Sequence, residues 1–158
     1  MIVSDSTAII TLINIDEFTL LESFTRQVLL APEVYEEVVV DKKAHDFLKQ
    51  QIETGFVKVD SYHDTLLFRE LNIILDKGES ASIVLAKEKN SLLLIDEKKG
   101  RRVAKDLGVE IVGLIGMIRF LYVHGKMDKA QTEALLRKLD ASSFRISREL
   151  MKLVLKEE

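Results

Sequence analysis

The sequence predicts an α/β domain built on a parallel sheet of about five strands, with helices covering both faces. Short apolar runs of strand length alternate with stretches of helical periodicity, and no Asn-Gly or similar hairpin signal joins two of the runs. In the clearest example the apolar run Ser91–Ile95 ends at Asp96, a helical pattern follows, and a second run, Val109–Val112, is closed by Gly113. Strand, helix and strand with short joins indicate a right-handed crossover between parallel strands.

The first part of the chain alternates between strands and helices. Pro32 suits the first turn of a helix, where its missing N–H is harmless, and Gly55 interrupts a helix before an alternating strand. The predicted strands are Met1–Ser4, Gln27–Ala31 and Phe56–Val59. The predicted helices are Ala8–Ile15, Asp16–Leu21, Glu33–Val40 and Lys42–Glu53.

Two helices are predicted to lead into the strand before Asp96. The first covers Tyr62–Leu75 and is ended by Gly78, and the second opens at Glu79. The inner face of the first is predicted to consist of Leu66, Leu67, Leu71, Ile74 and Leu75.

The end of the chain is predicted to be helical. After Gly113 the pattern predicts helices to about His124, over Asp128–Leu139, and from Ser147, whose hydroxyl suits an N-cap. The chain has one proline, seven glycines and no linker or repeat. We therefore expect residues 1–158 to form a single domain with a C-terminal helical extension at about 126–158.

Composition limits the classes of protein and site. The 158 residues are 47% hydrophobic and 31% charged, as in ordinary globular domains. No apolar run approaches the roughly 18 residues of a membrane span, and no basic signal region begins the chain, so a cytoplasmic protein without a membrane partner is expected. A formal net charge of −3 excludes a generally basic, nucleic-acid-coating surface. Without cysteine, and with three scattered histidines to which no catalytic role is assigned, a metal would need mainly oxygen ligands.

Four acidic residues are predicted to meet at one edge of the sheet. Asp5 ends the first strand and Asp96 ends the fourth. Glu79 lies in the first turn of the helix that feeds the fourth strand, and Glu37 lies between one and two turns into the helix after the second. If the strand order is 3-2-1-4-5, the first and fourth strands are neighbours whose crossovers lie on opposite faces. Asp5 and Asp96 would then flank the crevice.

Crowded carboxylates indicate a metal site. Like charges held together raise one another's pKa and cost stability unless a cation lies among them. Mg²⁺ or Mn²⁺ suits such a set of oxygen ligands, and one or two such ions can activate water and orient a phosphate. The predicted reaction class is therefore metal-dependent phosphodiester hydrolysis.

The acids stand in segments that occur in a particular order. These are IVSDSTAIITL, PEVYEEV, KGESASIVLA and IDEKKGRRVAKDLG, and FRIS follows at 144–147. In this order, on these elements, they resemble the PIN-domain nucleases, and FRIS resembles the ending of a PIN subgroup without a firmly assigned function. The resemblance implies a PIN-like three-layer α/β/α fold.

The resemblance also implies roles for individual residues. The family's metal-binding acids fall on Asp5, Glu37, Glu79 and Asp96, and the small hydroxyl residue beside the first acid falls on Ser6. Of these, Asp5, Glu79 and Asp96 would hold the metal, and Glu37 would complete the pocket or orient water.

Two of these assignments are open to question, and a further acid, Glu97, has two interpretations. Glu79 stands where many active members have aspartate, and Glu36 is adjacent to Glu37, which is preferred for its spacing before Val38. Glu97 could support the metal through water or be a solvated residue at a helix start.

The function implied by the resemblance is that of an endoribonuclease that uses Mg²⁺ or Mn²⁺ to cleave single-stranded RNA. It further implies the toxin of a toxin–antitoxin pair, with a small antitoxin protein as partner and a homodimer as the assembly. The alternative is a catalytically silent PIN fold that acts as a binding or scaffold module. A receiver domain would need paired acids after the first strand, and a dinucleotide site would need G-x-G-x-x-G after a strand; the sequence has neither.

Simpler interpretations exist for each charged residue. Asp5, Ser6 and Asp96 could be helix N-caps, and Glu79 in a first turn favours the helix dipole. A basic cluster beside Asp96 could be a solvated face or could contact a phosphate backbone, with Lys98 and Arg102 as the preferred contacts. The cluster consists of Lys98, Lys99, Arg101, Arg102 and Lys105.

Overall fold

The computed structural model describes residues 1–142 and 144–157, which fold around a five-stranded parallel sheet. The strand order is β3-β2-β1-β4-β5, so β1 lies at the centre. The strands are β1 (Ile2–Ser4), β2 (Val28–Leu30), β3 (Val57–Val59), β4 (Leu92–Leu94) and β5 (Ile111–Val112). The predicted fold class and strand order are confirmed.

Helices connect and cover these strands. Within the described residues they are α1 (Ser6–Asn14), α2 (Leu20–Phe24), α3 (Pro32–Val38), α4 (Lys42–Glu53), α5 (Thr65–Leu71), α6 (Lys77–Lys89), α7 (Lys98–Asp106), α8 (Leu114–Val123), α9 (Lys129–Ala141) and α10 (Arg148–Leu155). None of them is long and apolar enough to cross a membrane.

The register of the central strands brings two chain positions together. Ser4 of β1 pairs with Leu94 of β4, and the main-chain N–H of Asp5 donates to the Leu94 carbonyl at 3.0 Å. Because both strands run in the same direction, the residues that follow them, Asp5 and Asp96, leave the sheet at the same edge.

The core is continuous around the sheet and α6. β1 and β2 are buried along their whole length, as expected for strands covered on both faces. Every residue of α6 from Gly78 to Ala86 is buried, and the helix packs against α3, α5, α7, β1 and β4. Small side chains such as Ser80, Ala81 and Ser82 allow this close packing on all sides. The first turn of α6 is therefore held rigidly at the edge where β1 ends.

The segment between β3 and β4 differs from the prediction. Helix α5 is only seven residues long. The next helix does not open at Glu79, because the Asp76 side chain accepts the Glu79 N–H at 2.8 Å and α6 begins at Lys77. Gly78 therefore lies within the first turn of α6 and ends no helix, which corrects the prediction.

The predicted inner face of α5 is only partly correct. Leu71 and Leu75 are buried, but Leu66 is 65% exposed and Ile74 is 48% exposed. Leu66 lies in the first turn of α5 and Ile74 lies beyond its end at Leu71, and neither side chain belongs to the buried face.

The predicted helix Asp16–Leu21 is displaced along the chain. Asp16 has a φ of 57°, a left-handed conformation that aspartate tolerates and that terminates α1. A helix cannot begin at such a residue, and α2 starts at Leu20.

Candidate functional site: a carboxylate cluster at the ends of β1 and β4

Asp5 lies at the N-cap position of α1, but its side chain does not cap the helix. The residue is 3% exposed, and its Oδ1 atom is buried with no hydrogen-bond partner among the described residues. Burial, together with the negative charges of Asp76, Glu37 and Asp96, raises the pKa of Asp5 to about 7, while the Ser6 main-chain N–H opposes the rise. The N-cap interpretation therefore does not account for this carboxylate.

Gly78 marks the point where three carboxylates approach one another. A Cβ atom on Gly78 would lie 2.9 Å from Glu37 Oε2, 3.5 Å from Asp5 Oδ1 and 3.6 Å from Asp76 Oδ1. Glu37 is exposed on α3, yet its carboxylate reaches this point. Of the two adjacent glutamates, Glu37 is thus the one whose charge acts on Asp5.

Asp96 is held by the start of α8. Its Oδ1 and Oδ2 accept the Leu114 N–H at 3.1 and 3.3 Å. Burial raises the pKa of Asp96, and the Leu114 N–H and the charge of Arg101 oppose that rise. Arg101 Nη1 donates to the Ile95 carbonyl at 2.6 Å, so the guanidinium is shared with the main chain. Asp96 lies close enough to Asp5 for its charge to raise the Asp5 pKa.

Glu79 faces a neighbouring glutamate rather than Asp5. It is 7% exposed, its Oε1 accepts the Asp76 N–H at 3.3 Å, and its Oε2 is buried without a hydrogen-bond partner among the described residues. A Cβ on Gly100 would lie 3.0 Å from Glu79 Oε2 and 3.5 Å from Glu97 Oε2. Burial raises the pKa of Glu79 to about 8, and its interactions with Glu97 and Asp76 add to the rise. Glu79 and Glu97 thus form a second carboxyl pair, which Asp76 links to the first group.

Three glycines lie at helix starts that contact these carboxylates. Gly78 and Gly100 lie in the first turns of α6 and α7, and Gly113 is the N-cap of α8. A Cβ on Gly113 would lie 2.7 Å from Asp96 Oδ1, closer than real Cβ contacts. Because none of the three has a positive φ, the space taken by neighbouring side chains, and not the backbone, accounts for glycine there. These neighbours are carboxylates at Gly78 and Gly113, whereas at Gly100 the Ile95 side chain, at 2.8 Å, is nearer than Glu79.

Comparison with known proteins identifies the family. A family model described as a PIN domain matches residues 1–158. The chain belongs to the PIN-domain family. No curated protein matches the sequence of this PIN domain. PIN domains are in general nucleases and typically use divalent metals. Membership of the family therefore gives this chain a nuclease-type fold and suggests an interaction with nucleic acid.

The carboxylates of the PIN domain fit a hard divalent ion in charge and in donor type. Asp5 Oδ1 is an orphaned buried acceptor, and the absent side chain of Gly78 leaves room beside it. In residues 1–142 and 144–157, however, no three histidine, cysteine or acidic side chains form a group that could hold a metal ion as they stand. Metal binding would therefore require side-chain rotation, for which the exposed Glu37 has room.

The remaining predicted residues border this cluster. Ser6 is buried at the first position of α1, and Glu97 caps α7 by accepting the Gly100 N–H at 2.7 Å. Lys98 and Arg102 are exposed on α7, which begins two residues after Asp96.

Asp76 is the residue that sequence reasoning missed. It caps α6 in a capping box with Glu79, and its charge raises the pKa of both Asp5 and Glu79. The signal was present as the spacing D-x-x-E at 76–79, which is typical of a helix N-terminus. Interpreting Gly78 as a helix stop hides this signal.

Proposed function

We propose that this PIN domain is a metal-dependent endoribonuclease that hydrolyses RNA phosphodiesters. The observation that carries the proposal is the buried Asp5 Oδ1, which has no hydrogen-bond partner among the described residues and lies beside Glu37 and Asp76. An ionised carboxylate in such surroundings is unfavourable without a cation. Mg²⁺ and Mn²⁺ are the ions that carboxylate oxygens suit best.

The proposed roles follow from position. Asp5 and Asp96 would hold the ion, with Glu79 as the third expected ligand and Asp76 as an additional acid beside both groups. A bound divalent ion supplies a polarised phosphate oxygen and an activated water. Glu37, the exposed acid of the cluster, would orient that water. Its carboxylate reaches Asp5 from the solvent side, where substrate must arrive.

Residues around the acids would assist. Ser6 and Glu97 would support the pocket from the starts of α1 and α7. Lys98 and Arg102, exposed at the start of α7, would contact the phosphate backbone as charged donors.

The substrate and partners are inferred from the family resemblance. Single-stranded RNA is the proposed substrate, and the toxin of a toxin–antitoxin pair is the proposed biological role. An antitoxin protein would be its partner, a homodimer its assembly and the cytoplasm its location.

The test is cleavage of an unstructured RNA with Mn²⁺ or Mg²⁺ for wild type, Asp5→Asn and Asp46→Asn. Asp46 is an exposed aspartate on α4 and serves as the matched control. Asp5→Asn should lower the cleavage rate by roughly 100-fold or more, since it removes the central charge of the cluster. Asp46→Asn should cleave like wild type. Cleavage that persists in Asp5→Asn, or that needs no divalent ion, would contradict the proposal.

A catalytically silent PIN fold acting as a binding or scaffold module is the second candidate. One observation favours it: among the described residues no three histidine, cysteine or acidic side chains form a group that could hold a metal ion as they stand. This candidate predicts that calorimetric titration with Mn²⁺ gives no binding heat and that wild type leaves RNA intact. Mn²⁺ binding that is lost in Asp5→Asn would argue against it.

A further inference from the structure

Helix α3 carries two glutamates on one face, and Glu37 is the one that belongs to the carboxylate cluster. Glu33 lies one helical turn before Glu37, so the two side chains leave the helix on the same side, with Cβ atoms roughly 6 Å apart. The Glu37 carboxylate extends to the space beside Gly78, at the start of α6. The Glu33 carboxylate instead accepts the Tyr62 hydroxyl through Oε2 at 2.5 Å. Tyr62 is therefore bound one helical turn away from the acid that faces Asp5.

Tyr62 lies in the loop between β3 and α5, and this loop is held by the last turn of α6. The Glu88 carboxylate of α6 accepts the main-chain N–H groups of His63 and Asp64 at 2.8 and 2.7 Å. The Tyr62 ring stacks on Phe68 of α5, with 5.5 Å between the ring centroids. The hydroxyl that reaches α3 therefore belongs to a ring whose position is set by α5 and α6.

The hydrogen bond holds a helix start that has no side-chain cap. Helix α3 has seven residues, and its N-cap is Ala31, whose side chain cannot accept a hydrogen bond. The buried Val34 and Val38 keep the helix against the core. The hydrogen bond between Glu33 and Tyr62 adds a polar contact at the first turn, and it therefore sets the direction in which the helix leaves the sheet.

The surroundings make this hydrogen bond strong. Glu33 Oε1 is buried and has no hydrogen-bond partner among the described residues. Burial raises the pKa of Tyr62, and the hydrogen bond to Glu33 adds to the rise, so the hydroxyl stays protonated and able to donate. Hydrogen bonds to an ionised acceptor are roughly twice as strong as those between neutral groups. Loss of the Tyr62 hydroxyl would leave the Glu33 carboxylate without this donor, which costs more than the bond alone.

We infer that Tyr62 and Glu33 are positioning residues that act through Glu37, because they fix the direction of α3 so that the Glu37 carboxylate extends to the space beside Asp5. This inference rests on the proposed function, since Glu37 is the acid proposed to orient water at the same site. A misplacement of about 1 Å can lower a rate by roughly 100-fold, so a small tilt of α3 is enough to affect the reaction.

The test compares Tyr62→Phe with the control Tyr35→Phe. Each removes one hydroxyl from a half-buried tyrosine and keeps the ring, but the Tyr35 hydroxyl, on α3 itself, makes no hydrogen bond to the residues that the structure describes. Glu33→Gln keeps an oxygen that can accept from Tyr62, whereas Glu33→Ala removes it. Cleavage of an unstructured RNA in Mn²⁺ gives kcat and KM, and thermal melting in EDTA shows that each variant is folded.

Tyr62→Phe and Glu33→Ala should each lower kcat by roughly 10-fold and leave KM within about twofold of wild type, because the water-orienting acid is displaced and RNA binding is not. Tyr35→Phe and Glu33→Gln should keep kcat within about twofold of wild type. A loss in Glu33→Gln as large as that in Glu33→Ala would overturn the inference, since the charge of Glu33 and not its hydrogen bond would then matter.

A double-mutant cycle separates action through Glu37 from a general effect on the fold. In the Glu37→Gln background, Tyr62→Phe should change kcat by less than about twofold, because the acid that it positions is already inactive. A purely structural weakening would instead add its full loss to that of Glu37→Gln. An additive result would overturn the inference.

The contact can also be followed without metal or RNA. In a ¹H–¹⁵N NMR spectrum recorded in EDTA, the Gly78 N–H signal should move in Tyr62→Phe toward its position in Glu37→Ala, because both changes take the Glu37 carboxylate away from Gly78. Tyr35→Phe should leave the signal in place. An unchanged Gly78 signal in Tyr62→Phe would overturn the inference.

Failure of the inference is distinguishable from failure of the proposed function. Cleavage that depends on Asp5 but is indifferent to Tyr62→Phe would overturn the inference alone. If wild type does not cleave RNA, the proposed function is removed. In that case a shifted Gly78 signal in Tyr62→Phe would still support the placement of Glu37 by Tyr62, and an unchanged signal would remove both.

Discussion

Asp5 is buried among other acids, and these surroundings disfavour its negative charge. Glu37, by contrast, lies on the exposed surface of α3, and its carboxylate extends to the space beside Gly78 that Asp5 also borders. The difference separates their expected roles. A buried acid with a raised pKa is suited to sharing its charge with a cation, and an exposed acid that can rotate is suited to contacting water. Glu36, one residue away on α3, has the same chemistry but is not among the charges that act on Asp5.

The adjacent glutamates provide a matched pair of variants. Glu37→Gln should lower the rate of RNA cleavage by roughly 10- to 100-fold, because general acid–base or water-orienting groups contribute on that scale. Glu36→Gln should leave the rate within about twofold of wild type, since it is the same substitution at a residue outside the cluster. The measurement is the single-turnover cleavage rate at saturating Mn²⁺. A larger loss in Glu36→Gln than in Glu37→Gln would reverse the assignment of the second acid.

At the scale of elements, the first turns of three helices hold the acids of the cluster in place. Helices α6, α7 and α8 begin next to the ends of β1 and β4, and each contributes a capping residue or a main-chain N–H to the cluster. The partial positive charge of these helix ends favours nearby carboxylates. Asp76 has two roles there, since it caps α6 and also adds charge beside Asp5.

Two capping boxes in the chain allow these roles of Asp76 to be separated. Asp76 pairs with Glu79 at α6, and Asp128 pairs with Gln131 at α9. Because asparagine caps a helix about as well as aspartate does, Asp76→Asn and Asp128→Asn should both keep the helix and change stability little. Only Asp76→Asn removes a charge from the cluster, so it alone should weaken Mn²⁺ binding, by roughly 10-fold.

Calorimetric titration with Mn²⁺ and thermal melting in EDTA check this prediction. If Asp76→Asn binds Mn²⁺ as wild type does, Asp76 is a structural cap only. If Asp128→Asn also loses affinity, the effect is not specific to the cluster.

At the scale of the whole molecule, the buried acids make stability depend on pH. Folding raises the pKa of Asp5 to about 7 and that of Glu79 to about 8. Between the ordinary carboxyl pKa of about 4 and these raised values, the folded state therefore binds more protons than the unfolded state. Stability therefore falls as pH rises from about 4 to about 8. Asp60 and Glu88 have lowered pKa values in the folded state and therefore stabilise it at higher pH. Their contribution to stability is lost only below about pH 4, as falling pH protonates them.

The prediction is that the metal-free protein melts at a lower temperature at pH 8 than at pH 5. The decrease should be smaller in Asp5→Asn, which carries no charge to bury, and adding Mn²⁺ should restore stability mainly at the higher pH. Thermal melts in EDTA and in Mn²⁺ across this range measure all three effects. A melting temperature that rises steadily from pH 5 to pH 8 in EDTA would contradict the assigned surroundings of Asp5 and Glu79.

Several elements could be predicted from the sequence because their signals are local. Apolar runs of strand length, Pro32 at the start of α3 and Ser147 as a cap for α10 depend only on nearby residues. The proximity of Asp5 and Asp96 could also be predicted, because parallel strands in the order 3-2-1-4-5 place the ends of β1 and β4 side by side. The segment Asp60–Asp76 was predicted less well, because the helix ends at Leu71, short of Ile74, and because Leu66 is exposed although it lies within the helix.

The sequence by itself determined the fold class, because hydrophobic periodicity and crossover handedness are properties of the chain, and the family resemblance added the strand order that places the ends of β1 and β4 side by side. Only the tertiary structure decided that Asp76 belongs to the cluster, that Glu79 turns toward Glu97 and that α10 returns beside α8. Side-chain direction and helix docking depend on packing around the buried α6 and on which hydrogen bonds remain available there, and neither can be read from the order of residues alone.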